Sequence, residues 1–223
     1  MWIKICANTN LDDALLAAGA GADAVGFVFA PSKRQVNAAQ VAAIVPHLPA
    51  AIERVGVFAG DDADQIVHVA SDSGLTAVQL HSDYDQALVE RLATRLSGSV
   101  SLIQVLHWRV GSGSESADAI ASQLGEIAAQ GTIARVLIDA KVGAASGGTG
   151  VSFEWEAAAQ VFRDAPQGLR LIAAGGLTPQ NVAEAIATLT PWGVDVASGV
   201  EASPGRKDSQ KLAHFIQNAR RAG

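Results

Sequence analysis

Two side chains that could transfer protons stand at the ends of short apolar runs. Cys6 ends the run 3–6, and Asp139 ends the run 135–139. A lone cysteine is usually a small buried hydrophobe, but a thiolate in a positive environment acts as a base or a nucleophile. A carboxylate in such a place either caps the next turn or, when partly buried, serves as a proton donor. An acid and a base on two sides of a small molecule suit isomerisation without a cofactor.

Three glycine-rich segments could bind an anion through backbone N–H groups. They are residues 147–150, the pair Gly175-Gly176, and the pair Ser198-Gly199, each after an apolar run. Glycine lets N–H groups face an anion without obstruction by a side chain. Glycine-rich turns are common, so each segment alone is weak evidence. As a set they predict a phosphate site, because the two pairs follow the seventh and eighth apolar runs, where a TIM barrel usually binds phosphate.

Two further polar residues follow apolar runs. Arg34 is either one half of a solvated Lys33-Arg34 pair or a bidentate partner for a carboxylate. His81 either lines a site or serves as a polar plug. The chain has no His, Cys and Asp cluster at metal-ligand spacing, no Walker loop and no strand-linked GxGxxG. We therefore predict neither a metal nor a nucleotide cofactor.

The elements that position these residues form an eightfold alternation. Apolar, strand-like runs cover residues 2–6, 24–29, 53–59, 77–81, 101–107, 134–139, 170–174 and 194–198. Helix-like stretches cover residues 11–18, 38–45, 64–71, 85–96, 117–129, 155–162, 181–189 and 207–220, with the seventh helix expected to start at Thr178-Pro179. The strands are apolar on both faces, as parallel strands are.

Eight β/α units in 223 residues predict an α/β protein with one (β/α)₈ TIM barrel over residues 1–223. A doubly wound open sheet is the alternative, because counting strands does not reveal closure. In a TIM barrel the chemistry lies at the carboxyl ends of the strands. The candidate residues all fall at those ends.

Composition limits the partners. A net charge of −6 and a pI of about 5.3 argue against nucleic acid and against general attraction of an anionic substrate, so a phosphate needs local contacts. No stretch reaches about eighteen apolar residues, and no signal peptide is evident, so we expect neither a membrane span nor export. The single cysteine allows no internal disulfide. These features are typical of a cytoplasmic protein.

Short blocks along the chain carry a family resemblance. They are residues 4–6, 21–29, 32–34, 55–58, 78–81, 138–139, 147–150 with 153–155, 174–177 with 181–182, 193–201 and 204–208. Their order and spacing, over nearly the whole length, resemble the phosphoribosylanthranilate isomerases.

The resemblance implies an Amadori rearrangement of N-(5-phosphoribosyl)anthranilate in tryptophan biosynthesis. It implies that Asp139 protonates the furanose ring oxygen and that Cys6 removes the C2 proton of the resulting Schiff base. It places Arg34 at the anthranilate carboxylate. It also places the four loop residues Gly175, Gly176, Ser198 and Gly199 at the phosphate. Whether the chain is a monomer or a homodimer stays open.

The chain departs from the family pattern at three places. Ala7 and Asn8 stand where the family usually has glycine and then leucine or isoleucine. Lys33 replaces a proline, and Ser82 replaces a glycine. The Cβ of Ala7 is expected to strain the backbone beside Cys6 if that position needs a positive φ.

Two other functions remain as alternatives. One is a related phosphate-binding barrel enzyme, such as a bifunctional isomerase of histidine and tryptophan synthesis or indole-glycerol-phosphate synthase. The bifunctional isomerases typically use a pair of aspartates at strand ends. The first strand of this chain ends in Cys6, which argues against that alternative. The other is a barrel that binds a phosphorylated metabolite without converting it.

Overall fold

The computed structural model describes residues 1–96, 98, 100–109, 111–141 and 155–223. Eight parallel strands in this part of the chain form a closed barrel, because β1 pairs with both β2 and β8. The predicted (β/α)₈ barrel is confirmed, and the open sheet is excluded. The strands are β1 (Trp2–Ile5), β2 (Ala24–Val28), β3 (Glu53–Phe58), β4 (Ala77–Leu80), β5 (Ser101–Arg109), β6 (Arg135–Lys141), β7 (Arg170–Ala174) and β8 (Gly193–Val196).

Helices alternate with the strands around the barrel. They are α1 (Leu11–Gly19), α2 (Ala38–Ile44), α3 (Ala63–Asp72), α4 (Gln86–Leu96), α5 (Gly113–Gln130), α6 (Trp155–Arg163), α7 (Val182–Leu189) and α8 (Ser209–Ala222). An antiparallel hairpin of β9 (Glu201–Ser203) and β10 (Arg206–Lys207) stands between β8 and α8. None of the helices described is both long and apolar enough to span a bilayer.

The strands are buried on both faces because successive side chains alternate between the barrel interior and the helical layer. Val55, Ile103, Leu137 and Ile172 belong to the apolar cluster inside the barrel. The larger cluster outside includes Phe27 and the apolar faces of the helices. The prediction of parallel strands covered on both sides therefore holds.

Three of the described helix starts differ from the prediction by two residues or more. Helix α5 begins at Gly113 and not at residue 117. Helix α7 begins at Val182, because residues 178–181 form a turn in which Val182 N–H donates to the Thr178 carbonyl (3.1 Å). Helix α8 begins at Ser209 and not at Lys207, which lies in β10. The Asp208 side chain sets this start by accepting from the N–H groups of Gln210 and Lys211 (3.0 and 2.9 Å).

Bulky and charged side chains fill the amino-terminal end of the barrel. Trp2 stacks on Trp192 with ring centroids 5.3 Å apart, and the Arg135 guanidinium lies 5.6 Å from the Trp2 ring centroid. Arg135 also forms a bidentate ion pair with Glu53, with both N–O distances 2.7 Å. With this end filled, the barrel offers its carboxyl end to a small molecule. The glycine-rich segment 147–150 that was predicted to contribute there lies outside the described residues.

Candidate active site

One cavity at the carboxyl ends of the strands brings the predicted site residues together. It has a volume of about 340 Å³, within the range of small-molecule sites. Its lining includes Cys6, Arg34, His81, Asp139, Gly175, Gly176, Ser198 and Gly199. These residues come from six different strand ends, so the closure of the barrel is what gathers them.

Cys6 directly follows β1, and its thiol is buried inside the barrel. Its N–H donates to the carbonyl of Val196 in β8 (2.8 Å), which continues the strand pairing by one residue. A Cβ atom at Gly26 of β2 would lie only 2.7 Å from Cys6 Sγ. Glycine at position 26 therefore leaves the space that the thiol occupies.

The backbone beside Cys6 adopts a left-handed conformation at Ala7, which is the conformation for which the sequence analysis expected strain. Ala7 has φ +61°, where a Cβ atom costs roughly 1–2 kcal/mol. The Asn8 side chain holds this turn, because its Nδ2 donates to the carbonyls of Ile5 (2.8 Å) and Gly26 (3.2 Å). The Ala7-Asn8 pair thus combines a strained residue with a side chain that fixes the strained turn.

A buried ion pair lies below Cys6. Lys4 is fully buried, and its Nζ contacts Asp195 Oδ1 at 2.9 Å. Burial lowers the pKa of Lys4, but attraction to Asp195 and Cys6 outweighs this, so the net shift is upward and Lys4 stays charged. Burial raises the pKa of the Cys6 thiol, and Lys4 opposes that shift without cancelling it. Cys6 is therefore a neutral thiol at rest, with a cation beside it that stabilises the thiolate.

A second buried lysine, Lys207, fixes the backbone around the thiol. Its Nζ donates to the carbonyls of Cys6 (2.5 Å) and Ala197 (3.3 Å) and lies 3.5 Å from Glu201 Oε1. Burial lowers the pKa of Lys207, while Glu201 and Cys6 act in the opposite direction. The β9–β10 hairpin therefore joins the end of β1 to the loop after β8.

Arg34 already has a carboxylate partner within the chain. Its Nε contacts Glu201 Oε1 at 2.9 Å and its Nη2 contacts Oε2 at 2.6 Å, while Nη1 takes no part in the pair. The Arg34 side chain is 27% exposed and that of Glu201 only 4%. Burial would raise the pKa of Glu201, but Arg34 and Lys207 together lower it, so the carboxylate stays ionised. Glu201 therefore orients the guanidinium at the cavity.

Asp139 lies in β6 beside two histidines. It is in register with His107 of β5, and its Oδ2 lies 4.0 Å from Nε2 of His81. His81 Nε2 and Asp139 Oδ2 belong to side chains that are partly exposed, so both groups are accessible from the cavity. A carboxyl group on β6 and a thiol after β1 thus line the same cavity from different sides.

The loops after β7 and β8 require glycine. Gly175 and Gly176 have φ values of +86° and +67°, and a Cβ at Gly175 would lie 2.4 Å from the backbone nitrogen of Ala140. A Cβ at Gly199 would lie 1.9 Å from the carbonyl oxygen of Leu177. The two loops are therefore in close contact and form one wall of the cavity, as expected of a phosphate site in this fold.

Sequence reasoning assigned no role to Lys4, Asp195, Glu201 or Lys207. Lys4 and Asp195 did carry a signal, since each interrupts an otherwise apolar strand. Glu201 and Lys207 carried none, because their burial depends on the hairpin. Chemically, the described site offers a thiol, a carboxyl group, an oriented guanidinium and a glycine-lined wall.

Comparisons with known proteins agree on one family. Residues 3–218 match the model of the family described as N-(5'-phosphoribosyl)anthranilate (PRA) isomerase. The chain is 38% identical to the N-(5'-phosphoribosyl)anthranilate isomerase of Geobacter sp. (strain M21) over 226 residues, with 98% of each chain covered.

Solved structures of the same family have the same fold. The crystal structure of phosphoribosyl anthranilate isomerase from Thermotoga maritima superposes with a TM-score of 0.84 at 36% identity, covering 99% of this chain and 98% of the other. A second crystal structure, of the isomerase in complex with reduced 1-(o-carboxyphenylamino)-1-deoxyribulose 5-phosphate, gives a TM-score of 0.81 at 34% identity with the same coverage.

Proposed function

The chain belongs to the N-(5'-phosphoribosyl)anthranilate isomerase family, and we propose that Cys6 and Asp139 are the proton-transfer groups of its reaction. The reaction is the aldose–ketose isomerisation of phosphoribosylanthranilate to 1-(2-carboxyphenylamino)-1-deoxyribulose 5-phosphate, a step of tryptophan biosynthesis. One observation carries the assignment of residues: the thiol and the carboxyl group line one cavity together with the two glycine loops.

In the first step Asp139 acts as the general acid. Its carboxyl group gives a proton to the furanose ring oxygen, the C1–O bond breaks, and C1 becomes a Schiff base with the anthranilate nitrogen. The position of Asp139 in β6, facing the cavity, supports this role. The ring oxygen separates from C1 and stays on C4 as a hydroxyl group, so the step needs no metal or other cofactor.

In the second step Cys6 acts as the general base. Its thiolate takes the C2 proton, and the resulting enolamine tautomerises to the ketone. The thiol must ionise before this step, and the charged Lys4 supports that ionisation. Lys207 supports it as well, because its charge lowers the pKa of the thiol and its Nζ fixes the backbone carbonyl of Cys6.

Two local sites hold the anionic ends of the substrate. Backbone N–H groups of Gly175, Gly176, Ser198 and Gly199 bind the phosphate, as loops after the last two strands do in this fold. Arg34 binds the anthranilate carboxylate through Nη1, while Glu201 holds its other edge. His81 lines the cavity beside Asp139 and contacts the substrate there.

The remaining properties follow the same proposal. Residues 1–223 act as one catalytic domain on a small molecule in the cytoplasm, and neither nucleic acid nor a membrane is a partner of a chain with this charge and pattern. The chain is either a monomer or a homodimer, and light scattering of the purified chain decides between the two.

The direct test is turnover by the purified chain. Loss of anthranilate fluorescence measures conversion of phosphoribosylanthranilate, and Cys6→Ala should lower turnover at least about a hundredfold, as loss of a general base does. Circular dichroism checks that the variant folds. Conversion of the histidine-pathway aminoaldose in place of phosphoribosylanthranilate would favour the related isomerase. Binding of the reduced product analogue without turnover would favour a binding protein.

A further inference from the structure

Two histidines and one aspartate from three successive strands converge at the edge of the cavity. His81 follows β4, His107 lies in β5 and Asp139 lies in β6. One ligand atom from each side chain lies within 4.8 Å of the other two, and His81 Nε2 is 4.0 Å from Asp139 Oδ2. The cluster is not recognisable in the sequence, because parallel strands bring together residues that are about thirty positions apart.

A contact with the backbone of His81 holds the His107 ring within this cluster. Its Nε2 lies 3.2 Å from the backbone carbonyl of His81. In the tautomer that donates a hydrogen bond from Nε2 to this carbonyl, Nδ1 is the ring nitrogen that coordinates a metal. Metal-binding histidines are commonly fixed by such a bond from the second ring nitrogen to a backbone carbonyl. The rings of His81 and His107 meet edge to face, with centroids 5.0 Å apart.

We propose that His81, His107 and Asp139 bind a divalent transition-metal ion such as Zn²⁺ or Co²⁺. Two imidazoles and one carboxylate form a ligand set that these ions favour, with the remaining positions open to water. Mg²⁺ and Ca²⁺ fit poorly, because they prefer oxygen ligands. Ligand atoms around Zn²⁺ lie about 3.3 Å apart, so the three side chains must move together by about 1 Å. All three side chains are partly exposed, which leaves room for that movement.

The bound ion inhibits the isomerisation. This consequence rests on the proposed function, because a carboxylate that coordinates a metal does not deliver a proton to the ring oxygen. Binding itself does not depend on the reaction. His107 has no part in the proposed mechanism, so changing it separates metal binding from catalysis.

The binding experiment uses the full chain without an affinity tag, treated with a chelator. Titration with Co²⁺ should give a visible d–d band that saturates at one ion per chain and disappears when Zn²⁺ is added. His107→Gln keeps a donor for the His81 carbonyl but removes the imidazole, and it should weaken Co²⁺ binding at least about tenfold. Asp139→Asn, a second variant at the site, should weaken it as well.

The matched control is His68→Gln, since His68 forms an exposed pair with Asp72 (3.2 Å) that could hold a metal at the surface. Co²⁺ binding should be unchanged in this variant. Equal Co²⁺ affinity in wild type and His107→Gln, or loss of the band in His68→Gln alone, would overturn the proposal.

The activity arm tests the consequence. Zn²⁺ should inhibit wild-type turnover, and His107→Gln should keep its metal-free turnover while requiring at least about ten times more Zn²⁺ for the same inhibition. If the chain does not convert phosphoribosylanthranilate, the proposed function fails but the Co²⁺ titration still decides the metal site. If turnover is normal and no Co²⁺ binds, only the metal site is wrong.

Discussion

Lys207 donates a hydrogen bond to the backbone carbonyl of Cys6, although the two residues are 201 positions apart in the chain. This contact joins the β9–β10 hairpin to the end of β1 at the carboxyl end of the barrel. The ammonium group is buried and also lies near Glu201, whose carboxylate orients Arg34. The position of the thiol and that of the guanidinium therefore depend on one small hairpin.

Lys207→Met tests this dependence. Loss of the hydrogen bond should lower turnover at least about tenfold and lower the free energy of unfolding by about 1–3 kcal/mol, because the carbonyl of Cys6 loses its buried donor. Lys211→Met is the matched control, since Lys211 Nζ donates to the Glu201 carbonyl (3.0 Å) and not to Cys6. Urea unfolding and the fluorescence assay measure both effects. Equal activity in the two variants would mean that Lys207 does not position Cys6.

The pH dependence of kcat/KM tests the base. The proposed role of Cys6 as the base requires its thiolate, and burial raises the pKa of the thiol, so kcat/KM should increase with pH along a limb whose midpoint lies above the ordinary thiol value. The charged groups that act on Cys6 are Lys4, Asp195 and Lys207. Lys4 lowers the pKa of the thiol more than Asp195 raises it.

The double variant Lys4→Met/Asp195→Asn removes both charges of this buried pair, so neither is left without its partner. The rising limb of kcat/KM should then move to higher pH, because Lys4 lowers the pKa of the thiol more than Asp195 raises it and both effects are lost. Cys6→Ala in the same background should abolish the limb. A limb that stays in place or moves to lower pH would remove Cys6 from the role of base.

Asp139→Asn tests the acid. The amide has nearly the same shape but gives no proton to the ring oxygen, so kcat should fall at least about a hundredfold while KM changes little. Steady-state kinetics separate the two constants. A variant with raised KM and normal kcat would show that Asp139 binds the substrate and does not protonate it.

Two of the described residues other than glycine have a positive φ, and replacing each by glycine should stabilise the chain. Ala7 (φ +61°) and Thr190 (φ +47°) each carry a Cβ that costs roughly 1–2 kcal/mol, of which glycine would regain part after its own entropy cost of about 0.4–1 kcal/mol. Ala7→Gly and Thr190→Gly should each stabilise the chain by up to about 1 kcal/mol. Ala14→Gly, within α1, should instead destabilise it by about 1 kcal/mol. Thermal unfolding compares the three, and destabilisation by Ala7→Gly would show that its turn is not strained.

The strands and the strand-end residues could be predicted because both follow from local patterns. Apolar runs separated by helical spacing predict the barrel, and the barrel places Cys6, Asp139 and the glycine pairs at one end. The contacts that orient these groups could not be predicted in this way. The run that starts at Lys207 has helical spacing, so the β10 strand and its contact with Cys6 were missed. The partner of Arg34 was missed for the same reason, because Glu201 lies in the other strand of that hairpin.

Arg34 offers the test of the two anion sites. With a net charge of −6, the chain does not attract its anionic substrate over a distance, so local contacts must supply the affinity. A charge-assisted contact between Nη1 and the substrate carboxylate contributes roughly 1.5–3 kcal/mol, so Arg34→Ala should raise KM about tenfold or more. Arg34→Lys should restore only part of this, because an ammonium group does not hold Glu201 and the substrate at once.

Inorganic phosphate distinguishes the carboxylate site from the phosphate site. It should compete with substrate equally well in wild type and in Arg34→Ala, because the loops with Gly175-Gly176 and Ser198-Gly199 are unchanged in the variant. Glu201→Gln is the companion variant: it keeps the guanidinium but weakens its hold, so KM should rise less than in Arg34→Ala. If Arg34→Ala instead left KM unchanged and abolished inhibition by phosphate, Arg34 would be a phosphate contact and the two anion sites would be reversed.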